Sequence, residues 1–228
     1  MSVMAPIKSV TDNLVLSLDA ANIKSYIGSG TTWNDLSGNG NNGTLINGPT
    51  FTGSFGGSIV FDGTNDQVDV PSTNLPIQFG TSPFAIELWV RTTNATKRQG
   101  IVCSSGGLNN GPIFSIESSR VGVGIFGYAD VVASGASSIV ANTWYHIVLS
   151  RVSTSTNSTY IYINSVLNGT GTLSTNFSST NSVGIGYTPV AGEYTVGNIS
   201  LVRIYKNKSL SDAEILQNYN SNKSRFGL

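Results

Sequence analysis

The stretch Gly197 to Tyr219, GNISLVRIYKNKSLSDAEILQNY, decides the fold. Its first half sets Ile199, Leu201, Arg203 and Tyr205 against Ser200, Val202 and Ile204, an alternation rich in branched and aromatic residues. Bounded by Gly197 and Asn207, it reads as a half-buried β-strand. After a short polar turn the period changes. Ser211 and Glu214 stand at capping-box spacing, where hydroxyl and carboxylate each satisfy a backbone N–H, and Leu210 and Ile215 flank them as a hydrophobic staple. The helix that follows carries a narrow apolar stripe of Ala213, Ile215, Leu216 and Tyr219, suited to lying on a sheet.

Upstream, strand-sized segments recur with turn signals between them: Leu14 to Leu18, Ser58 to Phe61, Gln67 to Val70, Phe84 to Val90, Ile101 to Ser104 and Ile113 to Glu117. Val121 to Phe126, Trp144 to Arg151, Thr159 to Leu167 and Val183 to Gly186 continue the series. Short strands punctuated by Asp-Gly, Asn-Gly and Gly-Gly predict two packed antiparallel sheets, because each reversal needs residues that tolerate positive φ. The Gly/Asn-rich run Ser37 to Gly43 is bracketed by Trp33, Leu36, Leu45 and Ile46, so it reads as an ordered loop. The expected organisation is an N-terminal arm over residues 1–13 and one domain over 14–228. In Phe84 to Val90, Phe84, Ile86, Leu88 and Val90 share one face while Ala85, Glu87 and Trp89 share the other. Trp89 reads as packing under a covering segment, with the lining of a ligand-receiving sheet as the alternative.

Composition excludes several functions. The 228 residues carry no net charge and only 11% are charged, so no basic field is available for nucleic acid or an anionic membrane. Cys103 is the single cysteine, which rules out an internal disulfide framework and a cysteine-based zinc site. The start, MSVMAPIKSV, lacks the apolar core of a secretion signal, and no apolar run is long enough to span a bilayer; synthesis in the cytoplasm is the expectation.

The ordered set Phe61-Asp62-Gly63-Thr64-Asn65-Asp66, Phe84 to Val90, Trp144-Tyr145-His146-Ile147-Val148, Tyr160-Ile161-Tyr162-Ile163-Asn164 and Gly197 to Tyr219 resembles the laminin G-like branch of the concanavalin A-like lectin and glucanase superfamily. The resemblance implies an all-β, two-sheet antiparallel jelly-roll sandwich with one short C-terminal helix. Ser165 departs from the pattern, since such domains often place Gly after the Asn, and a turn of different shape is expected there. The front segment, with LDAANIKSY and TTWNDLSGNGNNGTL, resembles a variant found in virion proteins of tailed bacteriophages and in some bacterial surface proteins.

Glycoside hydrolysis needs two convergent carboxyl groups, which the superfamily's glucanases supply as E-x-D-x-x-E. This chain lacks that run, and its glutamates, Glu87, Glu117, Glu193 and Glu214, are scattered. His146, inside a strand, has no marked nucleophile or orienting acid and reads as a strand histidine. Asp62, Asp66 and Asp69 supply hard oxygens in a loop, a candidate calcium site alongside the simpler reading of a hairpin. Asp35 with Asn39, Asn41 and Asn42 forms a second such cluster. Trp33, Tyr128 and Tyr187, in turn-rich surroundings, are candidate glycan contacts. Ala5-Pro6-Ile7 reads as an extended arm suited to docking on a neighbouring subunit.

The expected function is therefore a nonenzymatic virion structural protein of a tailed phage, a decoration on the virion surface. It would contact other virion subunits, form a homo-oligomer and bind host-surface glycans, with no nucleic acid, no membrane insertion and no required cofactor. The alternatives are a carbohydrate-binding module of a tail fibre or bacterial surface protein and, more remotely, a glucanase.

Overall fold

The computed structural model describes residues 7–74, 77–105, 111–125, 132–189 and 192–228. Its strands are β1 (Leu14–Asp19), β2 (Thr32–Trp33), β3 (Gly43–Ile46), β4 (Thr50–Thr52), β5 (Ser58–Asp62), β6 (Gln67–Val70), β7 (Phe84–Thr92) and β8 (Gln99–Ser104). They continue with β9 (Pro112–Glu117), β10 (Arg120–Ile125), β11 (Val132–Ala133), β12 (Tyr145–Arg151), β13 (Thr159–Ile163), β14 (Val166–Gly171), β15 (Val183–Ile185) and β16 (Val196–Lys206). Two eight-stranded antiparallel sheets result. One runs β14-β13-β12-β7-β16-β5-β4, with β1 also on β16; the other runs β11-β10-β9-β8-β15-β6-β3-β2. This is the jelly-roll sandwich, closed by one helix, α1 (Asp212–Asn222).

The core lies between the sheets. Phe84, Ile86, Leu88 and Val90 of β7 meet Val68, Val70, Val102, Phe114 and Ile116 from the facing sheet in one continuous buried cluster. Arg151 is fully buried at one end of this layer: its guanidinium donates to the carbonyls of Gly80, Ser82 and Thr175 and lies 4.6 Å from the Phe84 ring centroid. Three charge-assisted bonds to carbonyls and an aromatic face offset the desolvation of a cation that would otherwise be costly to bury.

Several expectations change. β16 is buried on both faces, because α1 covers its outer side. A bulge between Ile199 and Leu201 adds one residue at Ser200, which moves Ile199 onto the inner face with Val202 and Ile204 and leaves Leu201, Arg203 and Tyr205 outside. Thr159 to Leu167 is a hairpin of two strands: Asn164 and Ser165 both take positive φ, 51° and 65°, so Ser165 occupies the left-handed position that glycine usually fills.

The capping box is present in both directions, and Leu210 and Ile215 are buried together. The buried helix stripe, however, is Ile215, Asn218 and Asn222, while Ala213 and Leu216 face outward. From Lys8 onward the N-terminal arm is hydrogen-bonded to the helix. Gln217 Nε2 donates to the Lys8 carbonyl at 2.7 Å, and the Val10 N–H donates to Asn218 Oδ1 at 2.8 Å. Ala5 and Pro6 lie outside the described residues, and Ile7 is exposed.

Candidate functional site

The outer face of the first sheet divides into a closed part and an open part. In the closed part Glu87 is fully buried beneath α1. Its Oε1 accepts from Arg203 Nη1 at 2.9 Å and His146 Nε2 at 3.1 Å, and its Oε2 accepts from Asn218 Nδ2 at 2.6 Å. The Tyr205 hydroxyl lies 3.3 Å from Oε2 and 3.1 Å from the Val10 carbonyl, so one carboxylate ties together β7, β12, β16, the helix and the arm. Burial pushes the carboxyl upward, but Arg203, His146 and Asn218 outweigh it and hold Glu87 at about 2. Trp89 packs under Phe226 at 4.1 Å between ring centroids, the packing role read from its strand. A carboxylate this enclosed latches the helix and has no route to a ligand.

The other glutamates are also paired, though less enclosed. Glu117 and Glu193 lie on the second sheet and its flanking loop and share Arg98, at 2.6 and 3.1 Å; Glu87 and Glu117 thus stand on different sheets and do not meet. Glu214 closes the helix cap and pairs with Lys208 at 2.8 Å.

Asp62, Asp66 and Asp69 do not converge. Asp62 is exposed, and its Oδ1 accepts the Thr64 N–H at 2.7 Å, which lowers its carboxyl; Asp66 Oδ2 accepts the Asp62 N–H at 2.9 Å and is raised by burial. Asp69 points to the outer face of the second sheet, where it accepts from the Tyr187 hydroxyl at 2.9 Å. These oxygens serve hairpin amides and a phenol, and no group of three metal-ligating acids, histidines or cysteines occurs among the described residues. The second cluster likewise pins its own loop: Asp35 accepts the N–H groups of Ser17, Ser37 and Asn41.

Of the glycan candidates, Trp33 is fully buried in the inter-sheet core and presents no ring face to solvent. Tyr187 is buried beside Cys103 and Ile113, with Tyr194 stacked near it at 6.3 Å. Tyr128 lies outside the described residues.

The open part of the first sheet's outer face is where β13 and β14 emerge from under the helix. Tyr160 and Tyr162 stand two apart on β13, so both rings share that face, and Leu167 sits directly across from Tyr162 on β14. They floor a groove of about 650 Å³, walled on one side by Val152 and on the other by the turn and first residues of α1, Ser209 to Glu214. The Tyr162 hydroxyl donates to Asp212 Oδ1 at 2.6 Å, and burial together with Asp212 pushes that phenol up. Ser150 Oγ, bonded to both the N–H and the carbonyl of Leu210, anchors the turn on β12 and fixes the width of the groove. Aromatic floor, aliphatic flank, hydroxyls and one acceptor acid are the materials of sugar recognition. Sequence reading missed this set because Tyr160 and Tyr162 looked like ordinary strand residues; their alternation on one face, followed by a helix start rich in Ser and Asp, was the available signal.

No curated protein matches this chain. Among solved structures, domain 4 of AbnA, an extracellular arabinanase from Geobacillus stearothermophilus in complex with arabinotriose, superposes with a TM-score of 0.67 at 18% identity, covering 91% of this chain and 98% of that one. The binding domain of Paraclostridial Mosquitocidal Protein 1 gives 0.73 at 20% identity over 92% of this chain, and that of Botulinum neurotoxin DC 0.71 at 17% over 93%. The chain spans 52% of each of these two toxin domains. At such identities the likeness is one of fold. The laminin G-like family model described as the concanavalin A-like lectin/glucanases superfamily matches residues 62–216, which include β6 to β16 and the start of the helix. The chain belongs to the concanavalin A-like lectin/glucanases superfamily.

Proposed function

We propose that this chain is a nonenzymatic glycan-binding module displayed on the surface of a tailed-phage virion, where it assembles as an oligomer against neighbouring subunits. One observation carries the nonenzymatic part. Apart from Asp130, which lies outside the described residues, every acid is bonded to a backbone amide, a hydroxyl, a cation or the capping serine. General acid and base work needs two carboxyl groups free to act on one bond, whereas the two that line the groove are engaged, Asp212 by the Tyr162 hydroxyl and Glu214 by the helix cap and Lys208. The groove instead offers stacking and hydrogen bonding, and the similarly sized arabinanase domain that shares this fold is in complex with arabinotriose. The virion setting rests on the resemblance of LDAANIKSY and TTWNDLSGNGNNGTL to a variant found in virion proteins of tailed bacteriophages and in some bacterial surface proteins.

The binding claim is tested by glycan array followed by calorimetry on the intact chain. Binding to a neutral glycan at micromolar strength, lost in Tyr160→Ala, supports it. Release of reducing sugar from a polysaccharide panel would refute the nonenzymatic reading. Absence of the chain from purified particles of the phage that encodes it would refute the virion setting.

A further inference from the structure

The sheet edge farthest from the groove carries the two most exposed large apolar side chains among the described residues, Ile23 at 75% and Ile27 at 70%. They stand four apart on a single turn in which the Tyr26 N–H donates to the Asn22 carbonyl, so both emerge on one side. With Phe51 they line a cleft of about 190 Å³, backed by Tyr26, whose ring centroid is 5.5 Å from that of Phe51. Phe51 sits on β4, the last strand of its sheet. The only polar side chain of the lining is Tyr26, and its hydroxyl donates to the Gly30 carbonyl at 2.8 Å. Phe55, next to Gly56 of the same lining, stays half exposed on a turn where it takes φ 54°, a strained position for a bulky residue.

Resting on the assembly part of the reading above, we propose that this face joins the chain to a second copy of itself about a two-fold axis, the protruding isoleucines of each copy seated against the cleft of the other. A two-fold interface needs a knob and its hole on the same surface, and this face has both. The cleft is smaller than the about 300–1,000 Å³ of a small-molecule pocket, so it suits one branched side chain. The exposed parts of Ile23, Ile27 and Phe55 come to roughly 300 Å² of apolar surface, the core of the ~800 Å² that each partner of a standard interface buries, with a polar rim for the rest. Lys24, Ser29 and Ser54 are exposed beside them in sequence and supply that rim. A membrane surface would call for several cations, and Lys24 is the only charged residue in 20–30 and 50–57. The groove on β13 and β14 lies at the other end of the same sheet, so pairing through β4 leaves it open in both copies.

Sedimentation equilibrium of the full chain, followed from micromolar to millimolar concentration, measures the association. The expected result is a reversible dimer of the 23.9 kDa chain. Ile27→Asp and Ile23→Lys each bring an unpaired charge into the contact twice, once per copy, and should weaken the dimer about 100-fold or more. Ile27→Leu keeps volume and polarity and should stay within about tenfold of the wild type. Both positions are exposed, so each variant should melt with the dilute wild-type chain and bind glycan with unchanged affinity per copy. A chain that stays monomeric throughout overturns the assembly reading and this inference with it, and leaves the glycan reading standing. A dimer that survives both charge substitutions, or a ring of three or more copies, overturns this inference alone. Binding of a monomeric chain to phosphatidylcholine vesicles, lost in Ile27→Asp, would give the face to lipid and overturn it as well.

Discussion

Replacing Glu87 by Gln removes one charge from a site that no solvent reaches. The substitution keeps the shape of the side chain, so its effect isolates the electrostatics. In the folded chain the carboxyl is lowered from 4.5 to about 2, a difference that corresponds to about 3 kcal/mol of stability at neutral pH. A second argument reaches the same size. Arg203 is almost wholly buried, and breaking a buried ion pair from one side typically costs about 3–5 kcal/mol, because the remaining charge is stranded. For a chain of this length about 3 kcal/mol corresponds to a melting temperature lower by roughly 10 °C.

The pH dependence gives an independent check on the same group. The folded value lies below the unfolded one, so the Glu87 contribution is fully present above about pH 4.5 and is lost as pH falls through about 2. Urea unfolding of the wild-type chain and Glu87→Gln at several pH values between 7 and 2 therefore reads both quantities. The gap between the two proteins should be near 3 kcal/mol at pH 7 and shrink steadily below pH 4.5. A gap under about 1 kcal/mol at pH 7, or one that stays constant down to pH 2, would refute the account of this latch.

Three further predictions concern other parts of the frame. Ser211→Ala removes one half of the capping box and should cost about 1 kcal/mol, seen as a melting temperature lower by a few degrees. Gly197 has φ 142°, and a Cβ there would fall 2.2 Å from the Arg91 carbonyl oxygen; Gly197→Ala should therefore destabilise by more than about 2 kcal/mol in urea titration. Because Asp62, Asp66 and Asp69 bond protein groups and not one another's ligand, millimolar calcium or its removal by chelator should leave the melting temperature within about 1 °C.

The inner faces were readable from the sequence because alternation and burial coincide there: Phe84, Ile86, Leu88 and Val90 announced one face of β7 and form it. The outer face was readable only in part. Glu87 pairs with Arg203 and Asn218, 116 and 131 residues later, and no local pattern encodes a contact of that separation. Asn218 and Asn222 look like solvent-facing helix positions, yet both are buried: Glu87 and the Val10 N–H bond Asn218, and the Asn218 carbonyl and Arg225 bond Asn222. The added residue at Ser200 is equally silent, since a bulge breaks strict alternation without changing composition. The groove arises from the same causes. Tyr160 and Tyr162 were placed on one face by their spacing, but the wall that makes them a site comes from a helix start 50 residues further on, anchored by the Ser150 and Leu210 bonds. A helix latched over one half of a sheet necessarily leaves the other half uncovered, so the closing segment that defines this fold also cuts the groove beside it.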